Sequence, residues 1–208
     1  KGGMTLIKEL DGRSMEARQF GFTIRPEDES SAAKADLPLE GQTVYNQEAQ
    51  MDVAAGKSTD IQKILTGMLF TQDDAGKVYR YQIWESQKGT DGYTNDESVY
   101  HVDIETQDDG NGTLTVTTRI EKNGVTETYV YSAAATETAA EVMFENAYDA
   151  EGNLTLIGTK ILTGRTQKAG EFTFVLKNAL SNLEIENVTN KEDGTIELPM
   201  SYTIDRLN

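Results

Sequence analysis

The sequence predicts an all-β, antiparallel protein, and three observations carry that prediction. Thr, Tyr, Val and Ile recur in short runs that alternate with polar residues, the period-two pattern of half-buried strands. Gly, Asn and Asp punctuate these runs, as tight turns require. One pair of runs, LTVTTRIEKNGVTETYVYS, meets at Asn123-Gly124, the dipeptide preferred in a two-residue type I′ hairpin.

Taken in order, the first run is LIKELDGR, which as a strand places Leu6, Lys8 and Leu10 on one face. The stretch from Arg25 to Asp60 is polar, rich in Ala, Glu and Asp, and holds Pro26 and Pro38. It reads as a long loop or insertion, about 25–60, with STDIQKIL forming a short helical turn. KVYRYQIWE is a strand with Tyr79, Tyr81, Ile83 and Glu85 on one face, and the Asn123-Gly124 hairpin follows it. SAAATETAAE (132–141) is a polar link into the strand EVMFENAY, where Val142, Phe144, Asn146 and Tyr148 share a face.

Composition narrows the function. A hydrophobic content of 37% in 208 residues supports a lean core, enough for one large domain or one domain and part of another. Nineteen basic residues against thirty-five acidic ones give a net charge of −16. That field repels phosphate backbones and anionic lipid, so neither nucleic acid nor a membrane surface is an expected partner. Without cysteine there is no disulfide, thiolate nucleophile or cysteine-bound zinc, and with His101 as the only histidine there is no multi-histidine metal site. Neither a cofactor nor a metal is expected. No apolar run approaches membrane-spanning length, and KGGMTLIK lacks a signal-peptide core. The chain reads as soluble, or as a piece of something larger.

The sequence also repeats itself. KELDGRSMEARQFGFTI from Lys8 lines up without gaps against KILTGRTQKAGEFTFVL from Lys160. ILTGMLFTQDDAG (64–76) then lines up with IELPMSYTIDRLN (196–208). The expected organisation is one complete domain, 1–150, and the truncated opening of a second repeat, 151–208. Half a sandwich leaves strand edges open and an apolar face carrying Phe172, Phe174 and Leu176 uncovered.

Three residues of the first repeat break the alternation in the same way. Lys8 shares a face with two leucines, Glu85 continues a face of Tyr79, Tyr81 and Ile83, and Asn146 lies between Phe144 and Tyr148. Buried polar and charged groups are costly unless partnered, and the three satisfy one another if the first, a middle and the last strand are adjacent. A dry pocket would also lower the lysine pKa and raise that of the glutamic acid. The neutral amine of Lys8 could then attack the side-chain carbonyl carbon of Asn146 and expel ammonia. Glu85 would polarise the carbonyl and shuttle protons. The reaction would run once within one chain, so the protein is not expected to be an enzyme. By analogy with a disulfide, closing a loop of roughly 140 residues stabilises by about 5 kcal/mol.

KELDGR…FGFTI, YRYQIWE and MFENAY resemble the self-cross-linking isopeptide-linkage domains of Gram-positive pilins, and KILTGRTQKAGEFTFVL is similar to their opening motif. The resemblance implies an Ig-like (CnaB-type) β-sandwich in which Lys8 is joined to Asn146 with Glu85 catalytic. In the second repeat it implies a cross-link lysine at Lys160, whose glutamate and asparagine would lie beyond Asn208. It further implies a stalk or pilus-shaft domain outside the cell, in the cell wall or pilus of a Gram-positive bacterium. Its partners would be neighbouring domains or subunits of the same surface polymer.

Two rivals come from other classes. An adhesin module would grip a host protein or glycan, its ligand and further partner, through the polar insertion or through Trp84, Tyr93 and Tyr100. A two-carboxylate hydrolase would use the abundant acids, but these sit in turns such as DDAG, DDGNG and KEDG, where Asp and Asn serve backbone geometry. Those turns do not match the EF-hand calcium spacing either.

Overall fold

The computed structural model describes residues 2–132, 139–177, 179, 182 and 184–204. The chain divides into two compact units, Lys1–Tyr148 and Asp149–Asp205.

The first unit is a sandwich of two sheets. Strands β1 (Gly2–Asp11), β4 (Lys57–Met68), β6 (Tyr93–Thr94) and β10 (Glu141–Tyr148) form one, in the order β4-β1-β10-β6. The other contains β2 (Gly21–Pro26), β3 (Gln42–Tyr45), β5 (Val78–Gln87), β7 (Val99–Asp108), β8 (Leu114–Lys122) and β9 (Val125–Tyr131), in the order β3-β2-β5-β7-β8-β9. Alternation decides which side chains turn inward: Leu6 and Leu10 from β1, Val142 and Phe144 from β10, Tyr81 and Ile83 from β5, and Tyr100 and Val102 from β7 are all buried. The Phe144 ring meets Phe22 and Tyr100 of the facing sheet at centroid distances of 5.2 and 5.1 Å. These ring pairs fill the space between the layers. The β8–β9 turn is the expected hairpin, with Asn123 and Gly124 both at positive φ (53° and 81°), as a type I′ turn demands.

β1 and β10 run parallel, pairing Leu6 with Val142, Lys8 with Phe144 and Leu10 with Asn146. The first and last strands of the unit are therefore neighbours although almost the whole unit separates them in sequence. On its other side β1 pairs antiparallel with β4, setting Lys8 opposite Asp60.

The polar region after Arg25 departs from the expected loop. Helix α1 (Glu29–Ala35) is capped by Asp28, whose carboxylate accepts the Ser31 N–H at 2.7 Å, and ends at Asp36 in the left-handed conformation. It is pinned to the sheet because Ser31 Oγ accepts the Arg80 N–H and the Ser31 carbonyl accepts the Tyr81 hydroxyl. STDIQKIL is strand, not helical turn. It lies within β4, where pairing to β1 buries Ser58, Asp60 and Ile64 and overrides local polarity. Residues 133–138 of the link into β10 lie outside the described residues.

The second unit contains two ribbons. β11 (Ala150–Thr159) pairs with β14 (Thr195–Ile204), and β12 (Thr173–Lys177) pairs with β13 (Glu184–Thr189). Around the aligned pair Phe20 and Phe172 it repeats one hydrogen-bond pattern of the first unit. Buried Asn46 accepts the Phe20 N–H and donates to the carbonyls of Glu16 and Gln47, each at 2.8 Å. Buried Asn190 accepts the Phe172 N–H and donates to the carbonyls of Lys168 and Lys191, at 2.8–2.9 Å. Arg18 and Gly170, which align in the repeat, both have positive φ, and the N–H of each donates to the asparagine backbone carbonyl.

Candidate functional site

Three strands deliver the three anomalous side chains to one point in the first unit. Lys8 is fully buried, Glu85 is 2% exposed and Asn146 is 3% exposed. Lys8 and Asn146 are diagonal neighbours on the inner face of the parallel β1–β10 pair, a distance the four-carbon lysine stem can span. Glu85 does not come from an adjacent strand, as the sequence suggested. It projects from β5 in the opposite sheet, so the contact crosses the core rather than the ladder.

The geometry is specific. Lys8 Nζ donates to Glu85 Oε2 at 2.9 Å, and Asn146 Nδ2 donates to Glu85 Oε1 at 2.8 Å. One carboxyl group thus touches both amine and carboxamide, one oxygen for each. Lys8 Nζ also lies 4.5 Å from the Phe20 ring centroid and 5.9 Å from that of Phe22. The rings exclude water and offer the ammonium only a weak partner in its place.

Burial dominates the electrostatics. Desolvation pushes the Lys8 pKa down, although Glu85 beside it pulls the other way. Desolvation likewise pushes Glu85 up, against the opposing pull of Lys8 and of the Asn146 hydrogen bond. Both shifts favour the uncharged couple, a free amine beside a carboxylic acid.

The sequence missed the segment that closes the site, 88–98 between β5 and β7, which carries the short strand β6. Here the Asp96 backbone N–H donates to Asn146 Oδ1 at 2.8 Å, and Asn95 Oδ1 accepts Asn146 Nδ2 at 3.0 Å. Glu85 therefore meets the Asn146 carboxamide at its nitrogen and not, as expected, at its carbonyl. Asn95 is held by reciprocal bonds to the backbone of Gly89. Asp96 is held through its carboxylate by the N–H groups of Ser98 and Glu145. The only sequence signal was the polar turn chemistry of TNDES, which is common to many loops.

Lys160 lies between β11 and β12, half-buried, with its ammonium 4.8 Å from the Phe172 ring, the counterpart of the Lys8–Phe20 contact. No carboxylate pairs with it among the described residues. The three aromatic residues considered for ligand binding do not form an exposed platform. Tyr100 is buried, Tyr93 packs against Phe20 and Tyr148, and half-buried Trp84 lies 5.3 Å from the Arg25 guanidinium. Among the described residues no group of three or more His, Cys, Asp or Glu could hold a metal ion. No helix there is long and apolar enough to cross a membrane.

A two-sheet, all-β Ig-like sandwich with a buried lysine, acid and carboxamide joined across its layers is the architecture of a domain built around one internal side-chain contact. The chain belongs to the family described as FctA, the Spy0128-like isopeptide containing domain, whose model matches residues 4–149. Among solved structures it is similar to a single-residue mutant of the major pilin of Streptococcus pyogenes, at 12% identity and a TM-score of 0.42, covering 100% of this chain and 79% of that one. It is also similar to the S. pyogenes major pilin T-13, at 15% identity and a TM-score of 0.37, covering 100% and 75%. A third similar structure is the S. pyogenes major pilin T3.2, at 14% identity and a TM-score of 0.38, covering 100% and 79%. No curated protein matches the chain in sequence.

Proposed function

We propose that the first unit staples itself through an isopeptide bond between Lys8 Nζ and Asn146 Cγ, promoted by Glu85, and serves as a structural segment of a Gram-positive surface pilus or stalk. The observation that carries this reading is the contact of one buried carboxyl group with both amine and carboxamide, at 2.9 and 2.8 Å. Each of the three groups would be a costly lapse in an inert core. Together they are a nucleophile, an electrophile and a proton carrier held in place by folding. The chemistry consumes its own reactants, so the protein is not a turnover enzyme. Its place is outside the cell, its partners are neighbouring domains or subunits of the same polymer, and the second unit is a further repeat of which Lys160 is the cross-link lysine.

The adhesin reading is weaker because Trp84, Tyr93 and Tyr100 are engaged in packing. Intact mass spectrometry of the denatured chain is the test. A deficit of one ammonia is expected, absent in Glu85→Ala and Asn146→Ala and unaffected by Lys160→Ala. A chain at its full sequence mass would sink the proposal.

A further inference from the structure

The orientation of the Asn146 carboxamide is fixed by a donor that cannot act as an acceptor. A backbone N–H only donates, so the Asn146 atom facing Asp96 N at 2.8 Å is the carbonyl oxygen. The amide nitrogen must then face Glu85 Oε1 and Asn95 Oδ1, two acceptors, and it does, at 2.8 and 3.0 Å. The carboxamide is therefore held at both ends with its leaving nitrogen toward the acid and its carbonyl away from it. Glu85 cannot stabilise charge on that oxygen from where it sits.

We infer that the backbone N–H of Asp96 is the oxyanion donor of the cross-linking site and that Asn95 positions the leaving amide nitrogen, leaving Glu85 the role of proton relay alone. This rests on the cross-linking proposed above. Lys8 Nζ attacks Asn146 Cγ, the new C–N bond forms, and the carbonyl electron pair moves onto Oδ1 against the Asp96 N–H. Attack makes Cγ tetrahedral and frees the lone pair of Nδ2, which until then only donates; Glu85 takes the proton from Nζ at Oε2 and gives its own from Oε1 to that lone pair. The Cγ–Nδ2 bond then breaks, the oxyanion pair restores the carbonyl, and ammonia leaves with the acid regenerated. Atoms balance as amine plus carboxamide giving amide plus ammonia, with no outside reactant.

The loop is built to hold that N–H still. The Asp96 carboxylate accepts the Ser98 N–H at 2.8 Å and the Glu145 N–H at 3.1 Å, and Lys122 Nζ lies 3.6 Å from it. Glu145 immediately precedes the electrophile in β10, so the donor is fastened to the strand that carries its acceptor. Asn95 clasps Gly89 through both amide atoms, and a Cβ on Gly89 would stand 2.3 Å from the Tyr93 ring, so the glycine is what lets the loop close here. The Asp96 carboxylate also helps hold Glu85 protonated by like-charge repulsion.

The test follows cross-linking in time. The whole chain is made by cell-free synthesis, samples are quenched in denaturant, and intact mass gives the fraction that has lost ammonia. Asp96→Ala removes the carboxylate but keeps the N–H, whereas Asp96→Pro removes the N–H. Replacing the residue 96 amide by an ester keeps the aspartate side chain and removes only the N–H, so it decides the matter if the proline chain does not fold. Loss of one oxyanion donor slows acyl chemistry by roughly 10²–10³-fold, so the ester chain should cross-link about a hundredfold more slowly than the unsubstituted chain. An ester chain within about threefold of the unsubstituted rate, natively folded by Trp84 fluorescence, would overturn the Asp96 assignment and leave the cross-link standing. Absence of ammonia loss from the unsubstituted chain would instead remove the cross-link itself, and this inference with it.

Discussion

Replacing the nucleophile is the most informative perturbation of stability. Lys8→Met keeps an unbranched apolar stem at a fully buried position, with sulfur in place of one methylene, and removes the amine. It would remove the proposed covalent closure of a loop of roughly 140 residues, to which the loop-entropy estimate assigns about 5 kcal/mol. It also leaves Glu85 Oε2 without the nitrogen that faces it, a smaller additional loss because burial already favours the protonated acid. With a guanidinium slope of about 5 kcal/mol per molar for a domain of this size, the unfolding midpoint should fall by about 1 M. Trp84 is the only tryptophan and lies on β5 beside Glu85, so its fluorescence reports on the first unit alone. The unsubstituted chain must be shown by mass to carry the ammonia deficit. If it does and the two midpoints agree within about 0.2 M, loop closure is not what the bond contributes.

Three further outcomes follow, one from Glu85 and two from the buried asparagines that hold the turns. In the Lys8→Met chain, Glu85 has a folded-state pKa above its unfolded value, so its stabilising contribution is complete below about pH 4.3 and is lost as pH rises through the folded pKa. That variant should therefore be more stable at pH 5 than at pH 8 in denaturant titrations, and an opposite slope would show Glu85 to be ionised in the core. Asn46→Ala removes three buried hydrogen bonds to backbone and should cost roughly 3 kcal/mol, at about 1 kcal/mol each. Asn190→Ala should have a comparable effect in the second unit, read as lost hydrogen-exchange protection of the Phe172 amide. No change at either amide would mean that the asparagines do not hold these turns.

Much of the site was legible because burial enforces alternation. Lys8, Glu85 and Asn146 were conspicuous as polar residues on faces otherwise made of Leu, Tyr, Ile and Phe, and all three are indeed buried. The parallel pairing of β1 with β10 was not legible in local pattern, since period-two alternation says which face a residue takes and not which strand lies beside it. For the same reason Glu85 was placed on a neighbouring strand when it reaches across the sandwich. Helix α1 was hidden in a polar stretch because its stability comes from the Asp28 cap and the Ser31 anchor more than from an apolar stripe. STDIQKIL misled in the opposite sense: Asp60 and Gln62 look like surface residues but serve each other and the backbone of Tyr45 and Gln47 inside β4. The Asp96 donor was beyond reach of the sequence altogether, because a backbone N–H carries no residue signature.

The parallel course of β1 and β10 has a geometric corollary. Two adjacent strands that run the same way enter the unit at one pole and leave it at the other, so a load on the two ends of the unit is directed along its strands. Pulled from its ends, an unlinked unit could pay out the chain between positions 8 and 146, roughly 460–500 Å of contour at some 3.3–3.6 Å per residue. A bond between Lys8 and Asn146, as proposed, would sequester that slack and make the unit a tie whose length is set by a few residues of backbone on either side of one amide.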